Sequence, residues 1–290
     1  MRERPTMVSY AQNFEDVMLE RCFRHQADGF YIDVGAWEPT HDSTTRHFYE
    51  RGWRGVNVEP SPHHFAAFPA ARPRDVNLNV ALGDAPGTVV LHEFAGTPLS
   101  TTRPAYARNF EKLGMRRCDV VVPVTTLRAV CETHADRPID FLKIDVEGAE
   151  RDVIAGGAWE LWRPRVVLVE ALSPYVRVPT WPVWEGILCA HGYAFVYFDG
   201  LNRFYLRDED RGLAEHFATP PNLFDRFTPW RLAGLARRRD AWRVERPAAV
   251  ACAAELECLA AEHAGPDGAG LRRAADLLRA FADWFEDERP

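Results

Sequence analysis

The stretch Gly29-Phe-Tyr-Ile-Asp-Val-Gly-Ala-Trp-Glu-Pro39 constrains the fold more than any other part of the chain. Phe30 to Ile32 is a short apolar run of the kind that forms a buried parallel strand. Asp33 stands at its end, Gly35 follows in the turn, and a helix is predicted from Ser43 to Arg51. In an open α/β sheet, ligands sit outside the carboxyl ends of the strands. A glycine there lets the backbone pass close to such a ligand. A dinucleotide-binding turn would read G-x-G-x-x-G and cradle a pyrophosphate. Only Gly35 is present, which weakens a nucleotide-sugar oxidoreductase reading. A second run, Gly55-Val-Asn-Val-Glu59, ends in an acid one βαβ unit downstream. An acid at that point is placed to bind a ribose diol. A ribose without a pyrophosphate suggests S-adenosylmethionine, although a turn-capping acid would leave the same trace.

The design recurs. Ile139-Asp-Phe-Leu-Lys-Ile-Asp145 and Arg165-Val-Val-Leu-Val-Glu170 are apolar runs ending in carboxylates. Strands are also expected over Val76–Leu82, Gly87–Phe94, Asp119–Thr125, Tyr193–Phe198 and Arg203–Leu206. Helices are expected at Ser9–Phe23, Leu127–His134 and Trp181–His191. Ser9 is read as the N-cap of the first, with Gln12, Glu15 and Asp16 on its polar side; they face solvent, or the helix lies over a ligand that one of them touches. The mixed segment Gly96–Gly114 is read as a loop covering the site. Alternating strands and helices imply a parallel sheet, and the turn Asp199-Gly-Leu-Asn202 implies one antiparallel edge strand.

After Trp230 the composition shifts to Ala, Arg, Leu and Glu. The chain is read as a main domain, 1–230, and a helical hairpin extension, 231–290, formed by Ala248–His263 and Leu271–Glu286. The extension packs on the sheet domain or serves homo-oligomer formation. A net charge of −7 without a basic run disfavours nucleic acid as a partner. No apolar stretch is long enough for membrane insertion. Six cysteines without a C-x-x-C pair point to free thiols and a cytoplasmic setting.

Acids that share a cleft need cations, protons or hydrogen bonds to offset one another. A sulfonium supplies one positive charge. Asp145 with Glu170 could also hold Mg2+ or another divalent metal through hard oxygen ligands. Such a metal lowers the pKa of a bound hydroxyl. Helix capping by these acids is the alternative. His41, just past the Gly35 turn, is the first candidate for a general base, with His47, His63 and His64 nearby.

Several segments together resemble the FkbM-type methyltransferase family. They are Ser9-Tyr-Ala-Gln-Asn-Phe-Glu-Asp16, the Asp33-Val-Gly-Ala-Trp37 turn, Gly52-Trp-Arg-Gly-Val-Asn-Val-Glu-Pro60, Asn79-Val-Ala-Leu-Gly83 and Phe141-Leu-Lys-Ile-Asp-Val-Glu-Gly-Ala-Glu150. The last is the most specific. The resemblance runs from about residue 8 to residue 207 and leaves the extension outside. It implies a class I, Rossmann-like α/β fold: a seven-stranded, mostly parallel sheet with one antiparallel strand. It also implies S-adenosylmethionine-dependent methyl transfer to a hydroxyl, on a carbohydrate or natural-product acceptor. By position, Asp33 and Gly35 would lie along the methionine part, Glu59 and Pro60 at the ribose, and Asn79 and Ala81 near the adenine. Gln12 and Asp16 would close over the cofactor. Asp145 and Glu147 would border the transfer site, with Asp145 also touching the cofactor. Gly200-Leu-Asn-Arg-Phe-Tyr205 resembles members linked to carbohydrate modification. Pro39 replaces a glycine common in the family's turn, and Arg128 stands where an acid often follows Thr-Leu. A catalytically silent cofactor-binding or scaffold protein of the same fold is the alternative reading.

Overall fold

The computed structural model describes residues 7–94, 96–174, 177–235, 250–258, 261 and 271–279. Two compact units divide the chain, Met1–Phe227 and Thr228–Pro290.

The first unit is built on strands β1 (Phe30–Val34), β2 (Arg54–Val58), β3 (Val76–Leu78), β4 (Ala81–Gly83), β5 (Gly87–Phe94), β6 (Arg117–Thr126), β7 (Phe141–Ile144), β8 (Val166–Glu170), β9 (Tyr193–Phe198) and β10 (Asn202–Arg207). Seven of them form one sheet in the order β9-β10-β8-β7-β1-β2-β3. All neighbours are parallel except β10, which runs antiparallel to both β8 and β9. This is the class I methyltransferase arrangement. The strand order reverses at β1, which lies between β2 and β7, so the loops leaving β1 and β7 open a crevice at the sheet's carboxyl edge.

Every residue of β1 is buried because both faces of the sheet are covered. Alternation sends Tyr31 and Phe141 to one core, with Phe23, Phe48 and Trp53. It sends Ile32, Leu142 and Val167 to the other, with Leu127, Val130 and Trp184. The helices that matter below are α1 (Glu15–Phe23), α2 (Arg46–Glu50), α3 (Pro104–Lys112), α4 (Leu127–His134), α5 (Glu150–Ala155) and α6 (Glu185–Ala190).

Three local readings of the sequence change. Val76–Leu82 is two strands, not one: after β3 the chain leaves the main sheet, and β4 joins β5 and β6 in a separate three-stranded sheet. Asn79, at the crossing, is bound to Glu59 O and Pro60 O through its Nδ2. Gly96–Gly114 is not all loop, since Pro104 opens α3, and Ala107 and Phe110 bury its inner face. Helix α1 begins at Glu15, later than Ser9. Ser9 ends a short strand and donates instead to Asp16 Oδ1 at 2.7 Å.

In the second unit, helix is described over 250–258 and 271–279. Arg279 and Glu257 join these two helices at 2.6 Å, and Ala253 and Ala275 are buried. The remainder of the expected hairpin lies outside the described residues. Among the described residues, no helix is long and apolar enough to cross a membrane.

Candidate active site

A cavity of about 350 Å³ lies along the carboxyl edge of the sheet. At one end are Val58, Glu59, Pro60, Ala81 and Leu82, and at the other Asp145, Glu147, Glu170 and Leu201. The size suits a nucleoside-bearing cofactor.

The middle of the cavity is set by Gly35 and Lys143. Gly35 has φ +78°, and a Cβ there would fall 1.7 Å from the Asp145 carbonyl oxygen. Only glycine can bring these two loops together. Lys143 is the register partner of Asp33 across β1 and β7. Its Nζ donates to Gly35 O at 3.0 Å and lies 3.6 Å from Asp33 Oδ1 and 3.3 Å from Asp145 Oδ2. Burial is opposed by Asp145 and Asp33, and the net effect holds the ammonium above its ordinary pKa. Thr45, just before α2, donates to the other oxygen of Asp33. Burial raises the Asp33 pKa, and Lys143 works against it.

Glu59 leaves β2 buried. Its Oε2 accepts from Trp37 N and its Oε1 from Ser61 N, both at 2.8 Å. Burial pushes its pKa up to about 7 against those two donors. The carboxylate is held rigidly and still has lone pairs for a diol.

The opposite end is built differently. Glu147 and Gly148 both have positive φ, +51° and +102°. The turn is held by Glu150, whose Oε1 accepts from Val146 N and Gly148 N. Thr101 Oγ1 donates to Glu147 O, and Arg103 Nε to Gly148 O. A non-glycine residue in the left-handed region is strained, and such strain gathers at functional sites. Here it turns the Glu147 carboxylate towards those of Asp145 and Glu170. One oxygen from each of the three lies within 4.8 Å of the others. Glu147 Oε2 is buried with no hydrogen-bond partner. Glu170 is 92 % buried, being 8 % exposed, and accepts no hydrogen bond among the described residues. Burial, then Asp145 and the neighbouring glutamates, raise both Glu147 and Glu170 well above the carboxylate range. Glu150 is pushed up to about 6 by burial. Three hard oxygen donors facing one point fit a divalent cation.

Of the other residues singled out from the sequence, Gln12, Pro60 and Ala81 line the cavity. Asp16 does not; its oxygens hold Ser9 Oγ, Tyr10 N and Ala11 N, fixing the segment that carries Gln12. Asn79 braces the turn after Glu59 and is likewise outside the lining. His41 is not brought to the cavity, whereas His64 is, beside Trp37. No histidine lines the acidic end among the described residues. Sequence reasoning passed over Glu15, placing it on a polar face. It is buried against the β9–β10 turn, accepting from Asn202 Nδ2 and Asn13 N at 2.8 Å each. Burial and then Asp199 push it up to about 8. The Ser-Tyr-Ala-Gln-Asn-Phe-Glu run gave no periodic sign of this.

Residues 33–195, more than half of the chain, match the family described as the methyltransferase FkbM domain. The chain belongs to the FkbM methyltransferase family. Its members are S-adenosylmethionine-dependent, and the FkbM match spans the Gly35 turn, Glu59 and all three converging carboxylates. No curated protein matches the chain. Among solved structures, it is similar to a precorrin-6y C5,15-methyltransferase from Geobacter metallireducens GS-15, at 14 % identity and a TM-score of 0.35, over 71 % of this chain and 94 % of that one. It is also similar to an O-methyltransferase from Bacillus cereus in complex with SAH, at 14 % identity and a TM-score of 0.32, over 66 % and 78 %. Both scores are below 0.5 and add nothing to the family match and the strand order.

Proposed function

We propose that this methyltransferase acts on a hydroxyl, with the adenosyl part of the cofactor at the Glu59 end and the acceptor at the Asp145–Glu147–Glu170 end. The observation that carries this is the convergence of the Asp145, Glu147 and Glu170 carboxylates, with Glu147 Oε2 buried and unpartnered, beside a cavity of cofactor size. Bound S-adenosylmethionine supplies an electrophilic methyl group on a positively charged sulfur. The residues supply alignment: Gly35 keeps the backbone out of the way, Glu59 accepts from the ribose, and Lys143 fixes Asp33 and Asp145. Asp145, Glu147 and Glu170 would hold a divalent cation, Mg2+ being the simplest, whose chemistry is to acidify the acceptor hydroxyl. The hydroxyl proton would pass to a carboxylate oxygen at this end as the carbon–oxygen bond forms and the methyl–sulfur bond breaks, leaving a neutral thioether. His41, outside the cavity lining, is not part of this reading. A carbohydrate acceptor is supported by the Gly200–Tyr205 resemblance. The six unpaired cysteines support a reducing, cytoplasmic setting. The paired helices of the second unit are a candidate homo-oligomer element.

Incubation with methyl-labelled S-adenosylmethionine and a panel of simple and substituted glycosides tests the reading. Label should move to an acceptor oxygen, fall on treatment with EDTA and return with Mg2+. Full transfer after exhaustive chelation removes the cation. Cofactor binding without transfer to any hydroxyl favours the silent-protein alternative.

A further inference from the structure

Behind the Val146–Glu150 turn lies a second, larger cavity of about 660 Å³. Its walls come from α3, residues 173–174 and 178–184, and the far side of the same turn. Tyr106, Phe110, Val178, Val183 and Trp184 give it a mostly apolar lining.

Two observations join it to the acidic end of the first cavity. Pro174 lines both cavities, and Gly148 and Glu150 line the second while Glu147 and Ala149 line the first. The wall between them is therefore one strained turn. A Cβ on Gly148 would fall 2.6 Å from Tyr106 Cε2, so the ring packs on the turn's backbone. Burial, then Glu150, Glu170 and Glu147, raise the pKa of the Tyr106 phenol. Its ring lines the apolar cavity and packs on the turn.

A free sugar would leave this space filled with water against apolar walls. A nucleotide-sugar would bring phosphates against a mostly apolar wall, and of the two cations in the lining, Lys112 and Arg151, the latter is already paired with Asp152 at 3.7 Å. An apolar group fits better: burying it gains free energy in proportion to the area removed from water. Val178 and Val183 are already more than half exposed, at 56 % and 64 %. Such surface beside a site marks where a ligand sits.

Resting on the methyl-transfer reading above, we infer that the second cavity takes the apolar part of an amphiphilic acceptor. The methylated hydroxyl is held at Glu147 and Glu170, and an aromatic or alkyl aglycone lies between Phe110, Val183 and Trp184. The acceptor class is thus an aryl or alkyl glycoside, in preference to a free sugar or a nucleotide-sugar.

Calorimetry on the full chain tests this without turnover. The probes are n-octyl β-glucoside below its micelle concentration and glucose, each with and without saturating S-adenosylhomocysteine. The octyl glucoside should bind at least about tenfold more tightly than glucose. Val183→Asp, an exposed position that the fold tolerates, should erase that advantage. Val121→Asp, on the exposed face of β6, should leave it intact. Equal affinity for the two probes, or an advantage that survives Val183→Asp, overturns the inference. Because the probe comparison is also made without S-adenosylhomocysteine, failure of the latter to bind would count against the proposed reaction and leave the cavity result standing.

Discussion

At the β2 end of the cavity, each oxygen of Glu59 accepts one amide, from Trp37 and Ser61, and keeps a lone pair for a ligand. At the β7–β8 end, the carboxylates of Glu147 and Glu170 accept no hydrogen bond among the described residues, with Glu147 Oε2 and most of Glu170 buried. A buried polar group without a partner costs free energy. The first end is braced before any ligand arrives, so it can recognise one shape. The second is completed only by what binds there. On the proposed reading, a braced acceptor under the cofactor and unbraced ones under the reacting group suit an enzyme that orients first and reacts second.

The largest expected break in this contrast is at the point shared by both ends. Gly35→Ala forces a Cβ into the Asp145 carbonyl and places alanine at positive φ. Cofactor binding should become undetectable by calorimetry. Near-normal affinity would mean the Gly35–Asp145 contact does not shape the cavity. Next, Glu170→Gln should lower turnover by about a hundredfold or more while cofactor affinity changes by less than about threefold. A matching loss of cofactor affinity would merge the two ends into one binding site.

A subtler distinction comes from acidity. Glu59 in the free protein is pushed up to about 7 by burial. Ribose hydroxyls donate to the ionised form, and the positive sulfonium favours it further. Cofactor affinity should therefore rise as pH increases from 6 to 8, and the slope should vanish in Glu59→Gln. A slope that persists in the variant assigns it to another group.

The smallest effect concerns Glu15, pushed up to about 8. Its folded pKa lies above its unfolded value of roughly 4.3. The folded state then holds a proton that the unfolded chain releases, and stability declines as pH rises from about 4.5 through 8. Glu15→Gln should flatten that decline, raising the melting temperature at pH 8 by about 2–4 °C relative to the parent for each ~1 kcal/mol recovered. A parallel decline in both proteins would clear Glu15 of this role.

Much of the sheet was legible because its strands are short apolar runs closed by acids: β8 stops at the expected Glu170, and β1, β2 and β7 stop within one residue of Asp33, Glu59 and Asp145. Asp33, Gly35, Glu59, Asp145 and Glu170 were readable for the same reason, since strand ends in such sheets share one rim. What was not legible depended on contacts across the chain. Asn79 is expected near the cofactor from sequence, and its Nδ2 also donates to the carbonyls of Glu59 and Pro60, which no local pattern shows. His41 follows the right turn, yet its neighbour Asp42 lines the cavity and His41 does not. The burial of Glu15 depends on Asn202, on the hairpin far downstream. The second cavity depends on α3, whose Pro104 start and Ala107–Phe110 spacing were present but sat inside a segment too mixed to read as helix.

The contrast between the two ends is tested most directly by titrating S-adenosylhomocysteine into Glu59→Ala and Glu170→Ala under one condition. Losing one partner of charged hydrogen bonds costs about 1.5–3 kcal/mol, so Glu59→Ala should bind at least about tenfold more weakly, and Glu170→Ala should bind like the parent. Undiminished binding in Glu59→Ala, or equal losses in both proteins, would contradict the division of the cavity into a cofactor end and a reacting end.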